Sequence, residues 1–404
     1  MWLALVPLLA LAPPRPVPSP PLRPSADAWQ WSGAGGIRGI TLGPIESARH
    51  PRKGYGSDAC GRALDEVAKM GGSWVSLTPF GRVHDLTPLG IDPNFEAPFE
   101  ENRKAVLAAA EQAHRRGLSV MLVPHLWVES GEWRALIDPG SDEAWEAWAA
   151  SYRDFVLAWA RVAAEANIEI LSIGVELRSW VTTPRVELLL PIVQEIRSVY
   201  PGLLTYSSNW DDARATLLWD AVDLVGINAF YPLASHDGAT LPELRAGGSR
   251  VVAEIDRFAE GLRKPVLLTE IGYTTRTDPA IRPWEWPEDL YGVTVDEQAQ
   301  ADAYDALLGA VLQSPNIAGF FVWRYFADPD DVSQEAAWGF SPRGKLAEVV
   351  LRDAFVARFE VDGARFVGDF TGRHRARSPW RHGWESQPPL FEADLFGGNG
   401  SPPP

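Results

Sequence analysis

Short, near-continuous apolar runs alternate along this chain with longer stretches in which apolar residues recur every three or four positions. The first pattern predicts strands buried on both faces, and the second predicts amphipathic helices lying against them. The apolar runs are GIRGITL (Gly36–Leu42), SWVSLTP (Ser73–Pro79), LSVMLVPHLW (Leu118–Trp127), IEILSIGVE (Ile168–Glu176), LLTYSSNW (Leu203–Trp210), AVDLVGINAFYP (Ala221–Pro232), KPVLLTE (Lys264–Glu270) and IAGFFVWRYF (Ile317–Phe326). Helical spacing covers about Asp58–Met70, FEENRKAVLAAAEQAHRRG ending at Gly117, a long segment capped by Ser141, about Pro184–Val199, Ser249–Leu262 and Asp296–Leu312. Eight strands, most of them followed by a helix, predict an α/β fold of the (β/α)8 (TIM) barrel type, a single domain with flexible N- and C-terminal tails. A doubly wound open sheet would place a glycine-rich phosphate loop after the first strand, and GITLGPIESARH is not one.

The periodic region spans residues 36–355. Residues 1–30 read as a signal-like apolar segment, MWLALVPLLALA (Met1–Ala12), followed by a proline-rich spacer. Residues 356–404 carry mixed charge, proline and glycine without periodicity, which predicts a disordered tail. Export to the periplasm, cell envelope or exterior is therefore the expected localisation. An uncleaved N-terminal anchor is the alternative, and it is the one expected route to a membrane. Of the 404 residues 46% are hydrophobic, enough for a large core, and the formal net charge of −16 disfavours a nucleic-acid partner. With Cys60 the single cysteine, no disulfide forms within the chain.

In a barrel of this kind chemistry collects at the C-terminal ends of the strands. Those ends are polar and aromatic here: His125 and Trp127 on the third, Glu176 on the fourth with Arg178 and Trp180 behind it, Asn209 and Trp210 on the fifth, Asn228 and Tyr231 on the sixth, Glu270 and Tyr273 on the seventh, and Trp323 on the eighth. A carboxylate ending an apolar strand costs free energy unless it is paired or used. Glu176 and Glu270 end strands on opposite sides of the mouth. Two carboxyl groups flanking a gap are what glycosidic bond cleavage requires. A rim salt bridge accounts for one such glutamate, but less readily for two ringed by aromatics. The histidines are scattered without ligand spacing, so neither a metal nor another cofactor is expected. His125 is expected to hydrogen-bond at the rim. Asn209 and Asn228 bind sugar hydroxyls or cap loops, Tyr273 bonds a carboxylate or a sugar, and Trp323 is a sugar-stacking floor or a core tryptophan closing the barrel. Trp284 and Trp286 sit in the long loop after the seventh strand. An oligo- or polysaccharide is the expected partner. The rival reading is a carbohydrate-binding barrel of the cell envelope without turnover, which has no need of the carboxylate pair.

The segments ILSIGVELRSW, LLTEIGYTT and GFFVWRYF together resemble the (β/α)8 glycoside hydrolases of clan GH-A, most closely glycoside hydrolase family 113. That resemblance covers about Gly36–Phe355 and implies retaining β-mannanase activity on β-1,4-linked mannan, with Glu176 as acid/base and Glu270 as nucleophile. On that assignment the Glu176 carboxyl is expected to be raised in pKa when Glu270 is ionised. One position departs from the wider clan: many members carry Asn directly before the acid/base, where this chain has Val175. The contact that this Asn makes to the substrate hydroxyl must come from elsewhere, with Asn209 and Asn228 as candidates. For an enzyme, the rival reading is a β-glycosidase acting on a glycan other than mannan, such as glucan or another β-linked polymer.

Limited proteolysis is expected to trim the chain before Trp31 and after about Phe366 and to leave one stable core. Cleavage of the middle into two stable halves would contradict a single barrel domain.

Overall fold

Each apolar run forms a strand, but two of them break. The structure, a computed structural model, describes residues 36–43, 52–95, 97–285, 293–330 and 335–356. The N-terminal segment, the C-terminal tail and Trp286 lie outside the described residues. The strands are β1 (Ile37–Gly43), β2 (Trp74–Leu77), β3 (Phe80–Val83), β4 (Ser119–Leu122), β5 (His125–Val128), β6 (Ile170–Val175), β7 (Leu203–Asn209), β8 (Leu224–Asn228), β9 (Val266–Ile271) and β10 (Ile317–Phe326). Eight of them close into an all-parallel barrel in the order β1-β10-β9-β8-β7-β6-β4-β2.

The predicted second and third strands each carry a proline near their C-terminal end, Pro79 and Pro124. A proline has no N–H to give the ladder, and the strands break there. Both resume beyond it, as β3 and β5, which pair with each other in parallel and form a two-stranded flange above the barrel. His125 and Trp127 therefore stand on the flange rather than on the barrel strand itself. The Val123 N–H bonded to the Leu77 carbonyl and the His125 N–H bonded to the Pro79 carbonyl keep the two runs paired across the break.

Ile37, Trp74, Met121, Ile170, Leu203, Leu224, Leu267 and Phe321 form one buried cluster with Val123 and Val175. All eight barrel strands contribute to it, so it fills the barrel interior. A larger cluster packs the outer strand faces against the helices. The long helix Asp142–Glu165 starts at Ser141 as expected, the Ser141 hydroxyl accepting from the Ala144 N–H. The expected Pro184–Val199 helix divides into a 3-10 turn (Pro184–Leu188) and an α-helix (Leu190–Val199), with Pro191 in its first turn. The helix expected at Ser249 begins at Leu241, started by a Thr240/Glu243 capping box and Pro242. Gly247 and Gly248, which obscure its periodicity, are needed there. A Cβ at Gly247 would lie 1.9 Å from the Leu233 carbonyl oxygen, and one at Gly248 2.3 Å from that of Ala306. A final helix, Leu346–Val356, covers the barrel next to Glu297–Val311.

β6 and β9 are three positions apart round the ring of eight, with β7 and β8 between them, rather than diametrically opposed. Asn209 pairs in register with Asn228, and Asn228 with Glu270, so the C-terminal ends of β7, β8 and β9 lie level.

The seam between first and last strands depends on Gly319, which pairs with Ile37 at φ +152°, where a Cβ would sit 2.0 Å from the Ile37 carbonyl oxygen. Gly319→Ala is expected to cost about 2–4 kcal/mol of stability through overpacking and backbone strain. An unchanged denaturation midpoint would show that the seam relaxes.

Candidate active site

Glu176 follows the last residue of β6 and adopts a left-handed backbone conformation (φ +51°). That conformation costs a non-glycine residue about 1–2 kcal/mol. Its amide donates to the Ser207 carbonyl, and the next amide, of Leu177, donates to the Tyr206 hydroxyl at 2.7 Å. The buried carboxyl group accepts three hydrogen bonds. Trp133 Nε1–H (3.0 Å) and Arg134 Nη1–H (2.8 Å) donate to Oε2, and Asn228 Nδ2–H donates to Oε1 (3.0 Å). Arg134 is itself fixed, its Nε donating to the Leu126 carbonyl on β5 at 2.8 Å. The flange made by the two proline breaks thus delivers both donors.

Glu270 is the penultimate residue of β9 and is also buried. Its neighbour is His125, whose Nε2 lies 3.4 Å from Glu270 Oε1. The carbonyl of Val123 can only accept, so the 2.9 Å contact with His125 Nδ1 places a hydrogen on Nδ1. Burial, with Arg134 adding to it, holds His125 down to about 3, and the ring is neutral. Nε2 therefore presents a lone pair to Glu270. A proton on the Glu270 carboxyl turns this into an O–H to N hydrogen bond. Consistently, Glu270 is pushed well above the usual carboxylate range, first by burial and then by the charge of Glu176; Arg134, Arg324 and Asn228 oppose this.

Asn228 stands between the two. It is 0% exposed, donates to Glu176, bears on Glu270, and accepts from the Thr269 hydroxyl at 2.9 Å, which fixes its amide orientation. Of the two asparagines proposed in place of the clan's residue at Val175, Asn228 reaches the carboxyl pair, while Asn209 Nδ2 is engaged by Asp211 Oδ1 at 2.6 Å.

Trp323 is half-buried on the β10 side, its ring 6.0 Å from that of His125 and inclined at 31°. Across the mouth, half-buried Trp210 stacks on Trp284 (5.4 Å, 30°) and touches Tyr231 (5.2 Å). Trp127 lies along the flange beneath the Arg82 guanidinium, 5.6 Å from it. Two expected contacts need correction. Trp180 is 1% exposed, packed among Trp145, Trp148 and Tyr152, with its N–H bonded to the Arg185 carbonyl. Tyr273 is likewise 1% exposed and lies edge-on to Tyr304. Neither reaches the mouth; both turn back into the layer between strands and helices. Conversely, Trp133 and Arg134 escaped the sequence reading. Their only signal is an aromatic–cation pair in a βα loop. Among the described residues, no group of three or more His, Cys, Asp or Glu is arranged to hold a metal, and no helix is long and apolar enough to cross a membrane.

The model of glycoside hydrolase family 113 matches residues 47–343. Among solved structures, a β-mannanase of that family from Alicyclobacillus acidocaldarius, in complex with ManMIm, is 27% identical. The match covers 80% of this chain and 97% of that one, with a TM-score of 0.67. A second family 113 β-1,4-mannanase, also seen in complex, is 20% identical over 79% of this chain and 98% of its own, with a TM-score of 0.67. A family 5 mannosidase from Rhizomucor miehei, in complex with mannosyl-fructose, is 13% identical over 80% and 95%, with a TM-score of 0.50. The last two likenesses concern the fold alone. No curated protein matches the sequence.

A carboxyl raised by burial favours the folded state below the ordinary carboxylate range, and that contribution is lost as pH rises through its folded pKa. Glu270→Gln keeps the shape without the charge. It is expected to match the wild type in stability near pH 4 and to exceed it by about 1–3 kcal/mol at alkaline pH. Thermal melts across this range check the sign; a variant less stable at pH 9 would show that Glu270 is held ionised instead.

Proposed function

The chain belongs to glycoside hydrolase family 113, and from that premise we propose that this hydrolase is a retaining β-mannanase that cleaves β-1,4-linked mannan by double displacement. Glu270 attacks the anomeric carbon. Glu176 protonates the departing oxygen and then takes a proton from the incoming water. The observation that carries this reading is the pair of buried carboxyl groups held about one amide, Asn228, at the barrel mouth. The likeness to the Alicyclobacillus acidocaldarius β-mannanase supports the substrate. Before attack, Glu270 must be ionised and Glu176 protonated, so the pair needs one proton on the Glu176 side. The two groups interact and titrate as a unit, and the acid limb of the rate profile reports their joint loss of a proton. Trp323 is the floor on the side of the nucleophile, and Trp210, Tyr231 and Trp284 form the facing wall. Export, carried by the apolar run Met1–Ala12, belongs to the same proposal; comparing the N-terminus of the secreted and cell-bound protein tests it.

Hydrolysis of mannan, glucomannan, β-glucans, xylan and chitin identifies the substrate, mannan being the expected one. Glu270→Ala is expected to abolish turnover on every glycan. Glu176→Ala is expected to lose about 10²–10⁴-fold on unactivated substrates and far less on aryl glycosides, whose leaving groups need little proton assistance. Azide is expected to rescue the Glu176 variant with a β-azide product, and the Glu270 variant with an α-azide. A wild-type product released first with inverted configuration, or identical behaviour of the two variants on aryl substrates, overturns the role assignment.

A further inference from the structure

We propose that Arg178 is a positioning residue for the acid/base, acting through the indole of Trp133. This rests on the assignment of Glu176 as acid/base. Arg178 lies two residues beyond Glu176 and opens the one-turn helix Arg178–Val181. Its guanidinium covers the face of the Trp133 ring at 4.7 Å. The edge of that ring carries the N–H that donates to Glu176 Oε2 at 3.0 Å. Arg178 is tied from behind: Nε donates to Asp212 Oδ1 at 2.6 Å and Nη2 to Asp211 Oδ2 at 2.9 Å. Asp211 is in turn held by Asn209 at 2.6 Å. A chain of directed contacts thus runs from the end of β7, through Arg178 and the indole, to the Glu176 carboxyl.

Two physical consequences follow from this arrangement. The clamp fixes the azimuth of the indole, which sits in a loop and is only half-buried. A cation over an aromatic face also draws electron density from the ring, so the N–H at its edge becomes a better donor. Both consequences favour the ionised carboxylate of Glu176 over its protonated form. The other groups facing Glu176 are Arg134 beyond β5, His125 on β5, Tyr206 on β7, Asp212 beyond it, Asn228 on β8 and Glu270 on β9. Of these, only Asp212 is paired with Arg178. Its loss leaves Asp211 and Asp212 without their partner, which adds negative charge and acts in the same direction.

The test is the pH profile of kcat/KM of the full-length protein on a mannooligosaccharide and on an activated aryl β-mannoside. Arg178→Met is expected to move the alkaline limb up by about half a pH unit to one unit. It is expected to lower the oligosaccharide rate roughly tenfold more than the aryl rate, since a slightly misplaced catalytic group costs up to about a hundredfold. Arg178→Lys, which keeps the charge but not the planar fork, is expected to fall between. Trp133→Phe keeps an aromatic ring and removes the N–H, so adding Arg178→Met to it is expected to shift the limb by clearly less than Arg178→Met does alone, the remainder coming from the unpaired Asp211 and Asp212. If Arg178→Met melts earlier but leaves both limbs and the substrate ratio unmoved, the residue is structural and the proposal fails. A double variant whose shifts add in full also defeats it, because Arg178 then acts independently of Trp133. Should Arg178→Met not fold, the same comparisons on Arg178→Lys and Trp133→Phe decide the matter. The two readings separate cleanly: a Glu176→Ala variant without leaving-group dependence sinks the acid/base assignment together with this proposal, whereas a normal Glu176→Ala result with an unmoved alkaline limb in the Arg178 variants sinks only the latter.

Discussion

The burial of two carboxyl groups at one barrel mouth is the constraint around which the rest of this site is organised. Two negative charges removed from water and set close together repel each other, and each loses hydration. The protein answers this unequally. Glu176 receives an arginine, an indole N–H and an amide, whereas Glu270 faces the lone pair of a neutral histidine. The asymmetry gives the pair one preferred place for a proton. Asn228 couples the two, and Thr269 holds its amide so that it donates to Glu176 rather than accepting from it.

That asymmetry depends on how two strands end. Without Pro79 and Pro124, β2 and β4 would run on unbroken into the mouth. With them, the chain steps outwards and resumes as the β3–β5 flange. The step places His125 against Glu270. The loop that follows the flange then brings Trp133 and Arg134 to Glu176. Most of the polar contacts of the pair therefore descend from a break in two neighbouring strands of the sheet.

The aromatic residues divide according to the layer they enter. Trp210 and Trp284 face each other beside the mouth, and Trp323 lies next to His125 on the other side. Trp180 and Tyr273, equally close in sequence to strand ends, bury themselves behind the strands, where Trp145, Trp148, Tyr152 and Tyr304 meet them. A strand end followed by a turn can send an aromatic ring towards either side, and only its packing partners settle the choice.

The sequence by itself determined the eight strands, because a strand covered on both faces must be apolar along its whole length and so reads as an unbroken run. It also determined the two glutamates, because a charge at the end of such a run stands out against its surroundings. Helix limits were less legible. Gly247 and Gly248 weaken the pattern where the helix backbone closely approaches the Leu233 and Ala306 carbonyls, and the Pro184–Val199 stretch opens as a 3-10 turn before its α-helix begins. The tertiary structure alone decided what surrounds the carboxyl groups. Trp133, Arg134 and Asn228 lie 43, 42 and 52 residues from Glu176 along the chain. Loops carry no hydrophobic period, so nothing local marks which of their side chains will turn inwards. Which carboxyl keeps the proton depends on burial and on charges gathered from four different strand ends, and these become neighbours only when the barrel closes.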